Sequence, residues 1–462
     1  MRADSKRVNT GMLPESHTVA DLAELGPERL PDIYRTERHL IYNSPAALAF
    51  NSPGAEGFGV KRAGLAIPGS VMLIVSPGCC GRNTSEITAI RGYEDRFFYL
   101  EISETDLVTA RHLKKIPEAV REIVDSCVER PSLVMVCITC VDALLGTDME
   151  RVCRAAETAA GIPVRPCYMY ALTREGRKPP MVQIRQSLYS LLPQQKKRGA
   201  SVNLLGYFAP VDAESELFSL LQDIGVKHIR EISTCPDILE FYRMGEANFN
   251  LVLNSEARAA ADDLADRLSI PYIELSRFYG PDRIEKQYEA LAGALGVKWD
   301  SSKGKSAAED GLAALKKAYP DLVFSIGETI NANFFELALT FCEAGFDILE
   351  IFRNPAREDE YYLKALAGLS PETRVYSNME PTMIYYDFGT GKQEESASCE
   401  AEPICRKKRL VTLGKDAAWY HPDDIHVYWN SDEQPFGYMG LKKLVEAIAL
   451  AVRGEERHER AS

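Results

Sequence analysis

Two short segments of the sequence place cysteines where thiol chemistry is possible. SPGCCG at residues 76–81 carries Cys79 and Cys80, and CITC at residues 137–140 carries Cys140; each segment comes at the end of an apolar run. Thiolates bind soft metals, and cysteines in turns or at helix starts hold iron–sulfur clusters. Glycine lets the backbone approach a cluster, and its N–H groups stabilise negative charge. The pattern indicates an iron–sulfur site, with a thioredoxin-type pair, a structural zinc site and inert thiols as alternatives.

Other residue types give weaker signals. Cys235 lies in STCPD, where we expect a helix to begin, and a helix N-terminus lowers the pKa of a thiol. Glu328 follows the predicted strand LVFSIG and is expected to face a substrate cavity. Both are therefore candidate catalytic or substrate-contact residues. Cys137 ends a predicted strand and is expected to be buried, and His421 and His426 are expected to be solvated rather than to bind metal.

The composition excludes some classes of protein. The chain has 462 residues and a formal net charge of −13, which argues against general nucleic-acid binding. No apolar run approaches the roughly 20 residues that span a membrane, and the first residues lack the apolar region of a secretory signal. We therefore expect a cytoplasmic protein, in which disulfides among the 11 cysteines are not expected.

The segments that must position these cysteines follow a repeating pattern. Short β-rich apolar runs alternate with amphipathic helical patterns, and polar breaks interrupt them at residues 192–201 and 298–311. This pattern predicts an α/β protein with three Rossmann-like domains and mostly parallel sheets, whose ligands bind beyond the carboxyl ends of the strands. No phosphate-binding glycine motif occurs, so we expect no nucleotide on this chain. The predicted units are an N-terminal extension at 1–60 and domains at 61–195, 196–300 and 301–462.

Three segments together resemble the nitrogenase component 1-type oxidoreductase superfamily: IVSPGCCGR at 74–82, ITCVDALLGTDMERV at 138–152 and WNSDEQPFGYMGLKKLVEAI at 429–448. The resemblance implies a three-domain α/β fold and pairing with a homologous or identical subunit. It implies an iron–sulfur cluster at the interface of the two subunits. It also implies an ATP-hydrolysing iron–sulfur protein as electron donor and a small-molecule or metallocofactor substrate.

The resemblance also implies ligands for the interface cluster. By position, Cys79 and Cys140 match two of the family's cluster ligands. A third ligand cysteine, which many members have before the first motif, is missing here, where the sequence reads Asn51-Ser52. Cys80 is an extra thiol that would replace it or only pack. These features favour a 4Fe-4S cluster shared between two chains.

Two departures from the family pattern concern its large metallocofactor. The strand FNLVLN at residues 249–254 is followed by Ser255 rather than by the expected thiol, and Phe436 occupies the position of the expected histidine. The chain therefore does not look like a cofactor-bearing nitrogen-fixing subunit. The sequence predicts the catalytic component of a two-component, ATP-coupled reductase. The alternatives are a metallocofactor-assembly scaffold without turnover and, from another class, an α/β ligand-binding protein with inert cysteines.

Overall fold

The computed structural model describes most of the chain as strands, helices and their connections. The described residues are 13–35, 44–46, 59–78, 92–138, 146–168, 178–329, 331–386 and 408–461. The strands are β1 His17–Thr18, β2 Ser70–Ser76, β3 Phe97–Glu101, β4 Leu133–Ile138, β5 Val164–Pro166, β6 Ser201–Leu205, β7 His228–Arg230, β8 Phe249–Val252, β9 Tyr272–Glu274, β10 Leu322–Ile326, β11 Asp347–Phe352, β12 Arg374–Tyr376, β13 Arg409–Leu413 and β14 Ile425–Val427.

Helices cover the faces of these strands. They are α1 Val19–Leu25, α2 Val60–Gly64, α3 Glu104–Val108, α4 His112–Ser126, α5 Met149–Ala160, α6 Pro180–Tyr189, α7 Glu216–Asp223, α8 Ile238–Tyr242, α9 Arg258–Leu268, α10 Pro281–Ala294, α11 Ser302–Ala318, α12 Phe334–Glu343, α13 Glu360–Leu369, α14 Lys415–Tyr420 and α15 Gly437–Ala461. Among the residues described, no helix combines the length and apolarity needed to cross a membrane.

The first sheet has four parallel strands in the order β3-β2-β4-β5. All seven residues of β2 are buried, because the sheet is covered on both faces. Its side chains alternate between the two faces. Leu73 lies in the core cluster that contains residues of α4 and α5, whereas Ile74 lies in the cluster that contains residues of α6.

The second and third sheets share one core. The second sheet has the order β7-β6-β8-β9 and the third has the order β1-β12-β11-β10-β13-β14. Every described strand pair is parallel except β1 with β12, so residues 13–35 contribute an antiparallel edge strand and helix α1 to the third sheet. The predicted α/β class with mostly parallel sheets is confirmed. The predicted domain boundaries stay a prediction.

Helix α15 begins next to the carboxylate of Glu216, which is the first residue of helix α7 in the layer of the second sheet. Glu216 accepts hydrogen bonds from the backbone N–H groups of Tyr438 at 2.6 Å and Met439 at 3.1 Å, and from the hydroxyl of Tyr288 at 2.9 Å. An acidic group at a helix N-terminus satisfies free N–H groups and the helix dipole. The chain can turn into this contact because Gly437 has a φ of +67°.

We predict that Gly437→Ala destabilises the fold. A Cβ at this position would lie 1.9 Å from Glu216 Oε1 and 2.3 Å from the Tyr288 hydroxyl, in a backbone region that L-residues avoid. The free energy of unfolding should fall by about 2–4 kcal/mol, measured by urea unfolding.

The matched control for this variant is Gly454→Ala in the same helix. A Cβ at Gly454 meets nothing within 4 Å, and alanine is the better helix former. Its stability should be unchanged or rise by up to about 1 kcal/mol. Equal stability of the two variants would contradict the role assigned to Gly437.

Candidate functional site

The two cysteine segments leave the same edge of the first sheet. Strands β2 and β4 are hydrogen-bonded neighbours, and Val75 lies opposite Ile138 at their carboxyl ends. The end of β3 is also close, because a Cβ on Gly78 would lie 3.0 Å from Glu101 Oε1. The framework therefore fits two thiol-bearing loops that start side by side. Cys79, Cys80 and Cys140 themselves lie outside the described residues.

The structure places Cys235 in the core. It is 7% exposed, its Sγ–H donates to the Glu231 carbonyl oxygen at 3.2 Å, and burial raises its pKa to about 12. The expected lowering by a helix N-terminus is wrong, because α8 begins only at Ile238 with Asp237 as its N-cap. Cys235 is not among the residues that line the cavity described below.

The two histidines also differ from expectation. His421 is buried, with its Nε2 bonded to Glu350 Oε1 and to the Tyr386 hydroxyl. It is therefore not solvated. Its partner Glu350 belongs to strand β11 and is itself buried, next to an aromatic cluster that contains residues of α14. His426 is only half-buried, and its Nδ1 pairs with the Thr412 hydroxyl at 2.8 Å. Within the described part of the chain, no group of three or more His, Cys, Asp or Glu side chains could hold a metal ion.

A cavity of about 820 Å³ lies between the second and third sheets. It opens beyond the carboxyl ends of β6, β8, β9, β10 and β11, where parallel sheets bind ligands. The residues that line it are Tyr207, Leu253, Asn254, Ser255, Glu256, Arg258, Glu274, Leu275, Ser276, Arg277, Phe278, Thr329, Ala332, Asn333, Phe334, Arg353, Arg357, Glu358 and Tyr362.

Four arginines and three glutamates are among the residues that line this cavity. Arg258 is paired with Glu274 at 2.8 Å, and Arg277 donates to Gln434 Oε1 at 2.7 Å while lying over the Tyr207 ring. Arg353 lies over the Phe334 ring, 4.7 Å from its centroid. Neither Arg353 nor Arg357, both of them exposed, forms an ion pair with another described residue. The cavity therefore offers at least two guanidinium groups to an anionic ligand.

The lining contains no soft metal ligand. Cysteine, histidine and methionine are all absent from the described residues that line the cavity. Asn254 and Ser255 occupy the loop after β8, where the sequence lacks a thiol, and Phe436 of the last loop is buried. A ligand in this cavity would be bound through ionic interactions and hydrogen bonds with the charged and polar residues that line it.

The last loop joins elements from all three sheets. Asp432 is paired with Arg62 of helix α2 at 2.7 Å. Gln434 bonds to Arg277 after β9 and, at 3.2 Å, to Asn331 after β10. The family pattern places a cofactor histidine in this last loop. In this chain the loop instead connects the layers of the three sheets.

Glu328 was expected to face a cavity, but it is not among the residues that line this one; it lies one residue before the lining residue Thr329 and next to Asp416. Its backbone N–H donates to Asp416 Oδ2 at 3.2 Å, and Asn378 Nδ2 donates to the same oxygen at 2.9 Å. Burial raises the pKa of Glu328, and Arg353 opposes that rise. Asp416 is fully buried, and desolvation together with the charge of Glu328 raises its pKa to about 8. Burial and the neighbouring carboxylate thus both favour the protonated form of Asp416.

Sequence reasoning identified Glu328 but missed its partner Asp416 and the cavity arginines. The available signal was position, since Arg277, Arg353 and Arg357 all follow predicted strand ends. Charged residues in loops are common, and only their convergence on one cavity separates them from ordinary surface residues.

Three comparisons with known proteins agree with this architecture. The family model described as nitrogenase component 1 type oxidoreductase matches residues 56–333. The nitrogenase iron-molybdenum cofactor biosynthesis protein NifE of Klebsiella pneumoniae is 28% identical over 217 residues, 43% of this chain and 46% of that protein. The NifE protein of Sinorhizobium fredii is 23% identical over 371 residues, 77% of this chain and 71% of that protein. For the first relatives matched, the similarity thus spans less than half of their length.

A solved structure shows the same fold. The structure described as nitrogenase Cp1 at pH 6.5 superposes with a TM-score of 0.67 at 17% identity, over 95% of this chain and 98% of that chain. The predicted fold class, α/β with mostly parallel sheets and a nitrogenase component 1-like fold, is thereby confirmed.

We predict that Asp416 makes stability depend on pH. Its folded-state pKa of about 8 lies above the ordinary 3.8, so the folded chain keeps a proton that the unfolded chain has released. The contribution of this proton to the free energy of unfolding is complete below about pH 4 and is lost as the pH rises through about 8. The free energy of unfolding therefore falls by at most about 1.4 kcal/mol per pH unit in this range. Urea unfolding at about pH 5 and pH 8 should therefore show less pH dependence for Asp416→Asn than for wild type.

The exposed Asp423 provides the control for this test. Asp423→Asn removes a carboxylate that is solvated, so the pH dependence of wild type should persist. If Asp416→Asn keeps the full wild-type slope, the proton is not held at this pair.

Proposed function

Because the chain belongs to the nitrogenase component 1-type oxidoreductase family, we propose that it is a scaffold subunit that holds a metallocofactor during its assembly. The observation that carries the proposal is the cavity of about 820 Å³, lined in part by Arg353 and Arg357, which form no ion pair with another described residue. The metallocofactor is cargo here, received and passed on rather than used for turnover. The matched NifE relatives are named as cofactor biosynthesis proteins, which supports this function over a catalytic one.

The cavity suits a large anionic cargo. Its volume of about 820 Å³ lies in the upper part of the usual range of roughly 300–1,000 Å³ for ligand pockets. Arg353 and Arg357 extend from the loop after β11, opposite Arg258 and Arg277 on the second sheet. Charge-assisted hydrogen bonds from guanidinium groups are strong and geometrically specific, yet they are exchanged more readily than metal–thiolate bonds. A scaffold needs both retention and release.

One observation favours a second candidate, the ATP-coupled reductase. The described lining provides no thiol or imidazole, so a substrate without metal would fit the cavity as well as a cluster does. Glu328 immediately precedes Thr329, which lines the cavity, and burial raises the pKa of Glu328, so this carboxyl would supply a proton to a bound substrate as it is reduced. The two candidates differ in cargo: a scaffold holds metal in the cavity, whereas this reductase holds an organic substrate.

Both candidates include an iron–sulfur cluster at a subunit interface. We propose Cys79 and Cys140 as its ligands on this chain, with Cys80 as a further ligand. The adjacency of β2 and β4 supports this assignment, because the two loops start at neighbouring strand ends. Such a cluster would accept electrons from an ATP-hydrolysing iron–sulfur protein. The second subunit would be a homologous or identical chain that contributes the remaining ligands.

We predict that anaerobically purified protein carries cysteine-dependent iron. A 4Fe-4S cluster shared by two chains corresponds to about two irons per chain, measured with acid-labile sulfide and the spectrum of the reduced sample. Cys79→Ala and Cys140→Ala should each lose this iron, whereas Cys153→Ala, which changes a buried core thiol, should keep it. The chain is tested alone and with any homologous subunit co-expressed. Absence of iron in both preparations would overturn the interface cluster.

A second prediction concerns the cavity. Wild type purified from cells that make the cofactor should carry iron beyond the cysteine-dependent amount. The double variant Arg353→Gln, Arg357→Gln should retain about 10–100-fold less of this excess, because two charged hydrogen-bond donors are lost. Arg121→Gln is the control, because it changes an arginine on the exposed side of helix α4 that does not line the cavity.

The outcome of this measurement separates the two candidates. Excess iron that transfers to an acceptor protein supports the scaffold. An organic molecule released from iron-poor wild type and lost in the double variant supports the reductase. Equal cargo in wild type and the double variant would contradict the role of the cavity in either function.

A further inference from the structure

A basic patch lies at the amino ends of strands β6 and β7, at the opposite edge of the second sheet from the cavity. Its members are Lys196, Lys197 and Arg198, which precede β6, and Lys227 and His228, where β7 begins. Lys196, Arg198 and Lys227 are exposed, and the other two are half-buried. The whole chain has a net charge of −13, so this local concentration of positive charge does not follow from its composition.

The backbone holds the two parts of the basic patch side by side. Ala200 has a φ of +61°, in a region that residues other than glycine rarely adopt. Its carbonyl oxygen accepts the N–H groups of Lys227 at 2.8 Å and His228 at 3.1 Å. The N–H of Arg198 donates to the Glu246 carbonyl oxygen at 2.9 Å. The basic residues are thus carried by a backbone that is already fixed, which lowers the entropy cost of binding a partner.

The neighbouring carboxylates are engaged elsewhere. Glu240 and Glu246 are close enough for their charges to act on His228. Both are paired with the buried Arg230, at 2.7 Å and 3.4 Å, and Glu240 is also paired with Arg243 at 2.8 Å. Within the described part of the chain, no member of the basic patch forms an ion pair. Its positive charge is therefore not neutralised by these carboxylates.

Two other dibasic runs of this chain differ in that respect. In the run at residues 114–115, Lys115 is paired with Asp106 at 2.8 Å. In the run at residues 442–443, Lys443 is paired with Asp212 at 2.5 Å. The fold thus supplies a carboxylate to each of these runs, whereas the run at residues 196–198 has none among the described residues.

We infer that the basic patch binds an acidic segment of a partner protein. The guanidinium of Arg198 offers a planar fork of N–H donors that matches a carboxylate, and the lysines add charge-assisted hydrogen bonds. A nucleic acid fits less well, because phosphates that extend beyond the patch would meet the field of a chain with a net charge of −13. A short acidic segment covers the patch alone. This interaction requires neither the cavity nor the proposed cluster, and it is tested independently of both.

The experiment measures the binding of fluorescein-labelled hexaglutamate to the full chain by fluorescence anisotropy. Wild type should bind this peptide at low ionic strength and bind it more weakly as salt is added, because salt screens exposed charges. The triple variant Lys196→Gln, Lys197→Gln, Arg198→Gln should bind it about tenfold more weakly, since three exposed ion pairs are lost. Circular dichroism verifies that the variant is folded.

The matched control is the triple variant Lys114→Gln, Lys286→Gln, Lys317→Gln. It changes the net charge by the same amount, but its three lysines are exposed on three different helices, α4, α10 and α11. Its affinity for hexaglutamate should stay within about twofold of wild type, because each lost charge lies outside the patch. An equal loss in the two triple variants would show an effect of net charge alone and would overturn the proposal.

Cross-linking locates the bound peptide. A carbodiimide should join carboxylates of hexaglutamate to the amines of Lys196, Lys197 or Lys227, identified by mass spectrometry of the digested protein. The proposal is overturned if wild type does not bind hexaglutamate at low ionic strength, or if the cross-links form elsewhere. Tighter binding of hexathymidylate than of hexaglutamate at the same patch would assign it to nucleic acid and would also overturn the proposal.

Discussion

A buried carboxylate holds the walls of the cavity together. Glu336 has no solvent exposure, and its oxygens accept the backbone N–H groups of Tyr279 and Gly280 and the Nε–H of Arg283. Glu336 belongs to α12 of the third sheet's layer, whereas its donors precede or begin α10 of the second. Removing one partner of such a buried pair costs several kcal/mol, because the other charge is left without compensation. The relative position of the two layers therefore depends on this contact.

The contact made by Glu336 also helps to determine the shape of the cavity. Phe334 and Asn333 begin α12 and line the cavity, so the helix that carries Glu336 also presents part of the wall. On the other side, Arg277 and Phe278 lie immediately before the two N–H donors. The last loop then joins the first sheet to this unit through Asp432 and Arg62. A rigid frame and exposed arginines together suit a site that selects its guest by charge and size.

The sequence predicted the fold better than the site. Short continuous apolar runs such as VMLIV at residues 71–75 indicate parallel strands, because a sheet covered on both faces buries both sides of the strand. Side-chain pairing between distant segments has no such local signature. Asp416 resembles an ordinary helix-start aspartate in sequence, and only its burial beside Glu328 distinguishes it. His421 was expected to be solvated because it lies next to a predicted strand start, whereas Glu350, to which its Nε2 is bonded in the buried state, is 71 residues away.

The antiparallel edge strand of the third sheet affects the order of events during protein synthesis. His17 pairs with Val375, and Val19 donates its N–H to the Thr373 carbonyl, so the first described strand finds its partner only after more than 350 further residues have left the ribosome. Pairing over such a long separation is slow, because closing a large loop costs entropy before any contact is gained. Until then the segment that becomes α1 has no layer to pack against and exposes Val19 and Leu22 to chaperones. Completion of the third sheet thus requires that residues 17–427 have been made.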